Sequence, residues 1–79
     1  PMTHDLLHNT IKQLGAKIDR IVITKLEHNT FFAKLVVQID SRMEEIDARP
    51  SDSIALAVRA NAPVFVEEKI LNTISGSME

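Results

Sequence analysis

The residues of this chain that could do chemistry fall in two short blocks, His4-Asp5 near the start and Asp47-Ala48-Arg49-Pro50-Ser51-Asp52 past the middle. The second block packs two carboxylates, a guanidinium and a hydroxyl into a strand-to-helix junction. Pro50 fixes φ near the helical value and lacks a backbone donor, which suits the first position of a helix. Ser51 and Asp52 then fall in the first turn, where unpaired N–H groups and the positive end of the dipole attract anions. Arg49 adds a cation to that junction, giving an anion site in outline. Residue types alone have a simpler account. In it Asp52 caps the helix and Arg49 pairs with Asp47 or Asp52.

A second constellation is the carboxylate set Asp5, Glu45, Asp47 and Asp52. Glu45 and Asp47 are two apart on a strand, so their Cβ atoms lie about 7 Å apart on one face. If the first helix sets its N-terminus over that face, Asp5 and His4 join them. Oxygen ligands of this kind suit Mg²⁺ or Mn²⁺, ions that assist phosphodiester cleavage. A solvated acidic edge that discourages strand pairing explains the same residues more economically. His4-Asp5-Leu6-Leu7-His8 also has the spacing of a helical zinc-protease pair. Asp is a methylene shorter than the Glu base of that pattern, and only His28, in a turn, is left as a third ligand. Two solvent-facing histidines are the better reading.

The elements that must position these groups are legible from periodicity. Leu6, Leu7, Ile11 and Leu14 follow helical spacing after a Thr3 cap, and Gly15 supplies a left-handed stop, predicting a helix over 3–14. The β-branched run Ile21-Val22-Ile23-Thr24 places a strand over 18–26. Asn29 serves the turn that follows. Phe31, Ala33, Leu35, Val37 and Ile39 then share one face of a strand over 31–39, with Lys34 and Gln38 on the other. A turn at Asp40-Ser41-Arg42 leads to a strand over 43–48, and Pro50 opens a helix over 50–60. That helix is apolar nearly all round, so it demands cover on several sides. A short strand over 64–66 and a last helix over 67–76 complete the order. The fold class is α+β, α-β-β-β-α-β-α, with an antiparallel meander followed by a β-α-β crossover. Phe31, Leu35, Val37, Ile54 and Val58 are the expected core.

Composition bounds function without supplying it. Seventy-nine residues allow one domain, 1–79, with a small core. The 44% hydrophobic and 25% charged shares are those of an ordinary globular protein. No apolar run is long enough to span a bilayer. The absence of cysteine removes disulfides and thiolate metal sites and fits a cytoplasmic protein. A net charge of −2 gives no electrostatic case for nucleic acid, and three Phe with no Trp or Tyr leave few stacking platforms. The apolar second helix argues for cover by a partner subunit, a dimer by the prevalence of two-fold symmetry, or by a missing piece of the same chain.

Four blocks, Pro1-Met2-Thr3-His4-Asp5-Leu6-Leu7, Asn29-Thr30-Phe31-Phe32-Ala33, Asp47 through Ala57, and Ala62-Pro63-Val64-Phe65-Val66, occur in order. Together they resemble the bifunctional nuclease (BFN) domain family over essentially the whole chain. The resemblance implies cleavage of both DNA and RNA. It maps Thr3, His4 and Asp5 onto one family block, and Asp47, Arg49, Ser51 and Asp52 onto another. Family members carry a strand-rich segment upstream of the first block. The chain opens on Pro-Met inside that block, so the expectation is a cut or processed start and a missing piece of the domain. The expected mechanism is divalent-metal-assisted hydrolysis, the metal on Asp5 and Asp47 with Glu45 or Asp52 assisting. Arg49 and Ser51 would hold phosphate, and His4 would act as general acid or base. The alternative is a non-catalytic module that assembles with copies of itself or binds a small anion.

Overall fold

The computed structural model describes residues 2–70, which form a mixed sheet with two helices against one face. Helix α1 spans Met2–Gln13, so Thr3 lies inside its first turn rather than capping it. Gly15, at φ +81, makes the left-handed exit. Strands β1 (Ala16–Glu27), β2 (Thr30–Ile39) and β3 (Arg42–Ala48) form the expected meander, followed by α2 (Pro50–Ala60) and β4 (Val64–Val66). The order across the sheet is β3-β2-β1-β4. β4 runs parallel to β1, so the β3-α2-β4 connection is the expected crossover. Residues 68–70 begin a further helical turn. The rest of the helix expected over 67–76 lies outside the described residues.

Both hairpins turn on two residues. His28 and Asn29 take φ of 52° and 62° between Glu27 and its partner Thr30, the double left-handed turn that matches strand twist. Asp40, at φ 55°, and Ser41 link Ile39 to its partner Arg42. That turn is one residue shorter than expected, and it sets a register in which Lys34 faces Asp47 and Leu35 faces Ile46. β1 carries irregularities at Ile18/Arg20 and Ile23/Lys25, each of which shifts the side-chain alternation.

The core lies between sheet and helices: Ile18, Ile21, Ile23, Ala33, Leu35 and Val37 pack with Leu56 and Ala57. Leu35 and Val37 are buried as expected, but Phe31, Ile54 and Val58 are not. Helix α2 buries the stripe Ser53, Leu56 and Ala57 and turns Val58, 75% exposed, to solvent. The side chains at 53, 56 and 57 fall on one helical face, and Ile54 and Val58 on another. Phe31 shares the face of Leu35 but lies toward the hairpin end of β2. Among the described residues no helix is long and apolar enough to cross a membrane.

Candidate functional site

The first turn of α1 meets the first turn of α2 over the end of β3. His4 Nε2 lies 3.0 Å from Asp52 Oδ1, joining the two polar blocks across the fold. A cleft of about 520 Å³ opens beside this pair, with Leu7, Leu35, Ile46 and Leu56 as apolar walls and Arg49 and Ser53 on its lining. Asp52 therefore does not cap its helix. The N-cap residue is Arg49, at φ −81° and ψ 141°, and no side chain caps the helix. The first intrahelical bond is from Ser53 N–H to the Arg49 carbonyl, so the amides of Ser51 and Asp52 precede it.

Arg49 does not pair locally either. Asp47 bonds Lys34 and Asp52 bonds His4. Among the described residues no hydrogen bond or ion pair holds the Arg49 guanidinium. An unpaired cation beside an uncapped helix N-terminus is a strong local field for an anion. Ser53 is fully buried, and neither its hydroxyl nor His4 Nδ1 has a hydrogen-bond partner among the described residues.

The expected metal triad is dispersed. Asp5 accepts from Arg59 Nε on the outer side of the helix pair, and that bond holds its carboxyl below the ordinary value. Glu45 stands opposite Val36, and Asp47 opposite Lys34. Alternation places both on the sheet face away from the helices, since Ile46 and Ala48 take the helix face beside Leu35 and Ala33. The Lys34 ammonium holds the Asp47 carboxyl below its ordinary value, and Asp47 raises that of Lys34 in turn. Asp47 thus borders the cleft only along the strand. Among the described residues no three His, Asp or Glu side chains are grouped to hold a metal ion. The donor set of Asp5, Glu45 and Asp47 does not fit one. His8 lines a separate cleft with Lys12 and Lys17 and is no ligand partner of His4. Ser51 lies in a further cleft that shares Arg49 with the first.

Sequence reasoning missed three members of this neighbourhood. Ser53 was legible from its spacing to Leu56 and Ala57 on the buried stripe. Lys34 follows from the two-residue turn at Asp40-Ser41. Arg59 left no signal, because its pairing with Asp5 depends on how the helices cross.

A small α+β sheet with two helices on one face, joined at their first turns by His4 and Asp52, defines the kind of domain this is, and comparison supplies its family. Residues 1–79 match the bifunctional nuclease domain, and the chain belongs to that family. It is 41% identical over 71 residues to an uncharacterized protein of Mycobacterium tuberculosis, covering 90% of this chain and 42% of that protein. Identity to bifunctional nuclease 1 of Arabidopsis thaliana is 28% over 71 residues, covering 86% of this chain and 22% of that protein. Identity to bifunctional nuclease 1 of Oryza sativa subsp. japonica is 25% over 73 residues, 89% and 22% of the two chains. The chain therefore spans less than half the length of these relatives.

Proposed function

We propose that this domain hydrolyses phosphodiester bonds in DNA and RNA at the cleft between α1 and α2. The observation that carries this reading is the Arg49 guanidinium, unpaired among the described residues, at a helix N-terminus that no described side chain caps, in the same cleft as the His4–Asp52 pair. Arg49 and the first-turn amides of α2 receive the phosphate and stabilise charge that grows on its oxygens. Asp52, as carboxylate, accepts from His4 Nε2 and leaves the lone pair on Nδ1. Nδ1 is buried, so the Asp52 carboxylate, oriented by His4 Nε2–H, takes the proton of the attacking water and returns it to the leaving oxygen as the P–O bond breaks. No step is assigned to Asp5, Glu45 or Asp47. The exposed Leu6, Ile54 and Val58 serve in this reading as the apolar contact of a homodimer.

The test is single-turnover hydrolysis of end-labelled single-stranded RNA and DNA, with and without Mg²⁺ or Mn²⁺, on protein carrying the whole polypeptide. Arg49→Ala should slow cleavage roughly 10²- to 10³-fold, the cost of removing one charge-stabilising donor. A wild type that cleaves neither substrate, or an Arg49→Ala variant that cleaves normally, would refute the mechanism.

A further inference from the structure

At one end of the sheet β2 outruns β3. The ladder between them stops at Ala33 opposite Ala48, so residues 30–32 have no strand partner among the described residues on that side, while β1 continues beside them to Glu27. The chain leaving β3 turns into α2 at this point. A cleft of about 500 Å³ opens between the free strand edge and that junction. Phe31 lines it from the helix face of β2 and Phe32 from the strand's other face, where Phe32 also borders a cleft with Lys25, Lys34 and Asp47; Arg49, Pro50 and Ser51 line it from the junction.

Both phenylalanines are 40% exposed, in a chain that has three in all. Rings of this size are worth most to a small core when buried, so their exposure at a cleft needs an account. The Lys25 ammonium sits 4.7 Å from the Phe32 ring centroid, within cation–π range. Lys25 and Lys34 are compensated by Glu27 and Asp47. Arg49 is the cation of this rim without a partner among the described residues, and no carboxylate side chain is part of the lining. Arg49 also borders the His4–Asp52 cleft, so one guanidinium joins the two.

A free strand edge with apolar rings could receive an extended peptide. The uncompensated charge favours instead a partner that is anionic and carries planar rings. We propose that the Phe31–Phe32 cleft is a base-stacking subsite for single-stranded nucleic acid, taking a nucleotide that flanks the phosphate held by Arg49. It rests on the reading of Arg49 as the phosphate-binding group. Stacking is sequence-tolerant because every base has a π face, so the subsite serves RNA and DNA alike.

The experiment is fluorescence anisotropy on the full polypeptide, with a labelled single-stranded oligonucleotide and the same strand made abasic. Phe31→Leu, Phe32→Leu and the double variant keep apolar volume and lose the ring faces, and their thermal midpoints report folding. Wild type should bind the intact strand roughly tenfold or more tighter than the abasic one, and the double variant should lose that gap. Arg49→Ala should weaken both strands alike. Wild type that binds both strands equally or neither, or a folded double variant that keeps the gap, overturns the subsite. So does tighter binding of an extended apolar peptide than of the intact strand. Cleavage is scored separately. Base-dependent binding without cleavage leaves the subsite standing and removes hydrolysis, and cleavage with base-independent binding does the reverse.

Discussion

His4 and Asp52 sit on different helices, and their pairing can be taken apart by a double-mutant cycle. The structural side of the ledger is small. The side chains are 20% and 52% exposed, and a screened pair of this kind is worth under about 1 kcal/mol. For a domain this size that corresponds to a fall in Tm of no more than about 4–8 °C. The catalytic side is larger. Removing a general base costs roughly 10²- to 10⁴-fold, about 3–5 kcal/mol of barrier, so Asp52→Ala should lose that much cleavage with no larger fall in Tm than this. Asp52→Asn offers an amide that can accept from Nε2–H or donate to a bare Nε2. It keeps contact but loses the base, so it should be about as slow as Asp52→Ala, while His4→Ala keeps the base without its partner and should lose about tenfold. Because the two groups act as one unit, the double variant should be no slower than Asp52→Ala. Single-turnover cleavage and thermal unfolding on the same preparations give all four corners. Losses that multiply in the double variant, or that track Tm, would show that the pair is a surface ion pair and nothing more.

Asp5 is held below its ordinary value of 3.8 by the Arg59 hydrogen bond, so its stabilisation is present above that value and lost as pH falls through the lowered folded one. Asp5→Asn should therefore lower Tm at neutral pH and match wild type in strong acid, as a pH series of melts would show. Ser53→Ala removes a buried hydroxyl that lacks a partner among the described residues and should leave stability unchanged or raise it by about 1 kcal/mol; a clear fall in Tm would mean the hydroxyl is bonded. Equilibrium sedimentation at micromolar concentration should report a dimer that Val58→Asp dissociates, and a stable wild-type monomer would remove that assembly.

The strands and the order of elements were legible because alternation is a local property. Leu35 and Val37 followed from it directly. What alternation does not say is how far the second layer reaches, which is why Phe31, in phase with the core, stands at an open edge. The all-round apolarity of α2 likewise gave its type without its phase: a serine took the buried stripe and Ile54 and Val58 went outside. The metal set failed for a reason already in the strand. Ile46 and Ala48 are the apolar pair of β3, so the helices belong on their side and Glu45 and Asp47 on the other. Placing α1 over the carboxylates required the opposite. The one-residue error at Asp40-Ser41 hid Lys34 in the same way, since register decides which side chains face each other.

Helix α1 has no buried residue, and among the described residues its ties to the rest of the fold are Ile11 against the core and the pairs His4–Asp52 and Asp5–Arg59. Its undocking leaves the strand ladders and α2 in place, so it should cost less free energy than global unfolding. Half of the His4–Asp52 pair rides on that helix. The working lifetime of the site is thus set by a local detachment equilibrium rather than by the melting of the sheet. On warming, catalytic competence should fade while the β-sheet still resists exchange with solvent deuterium.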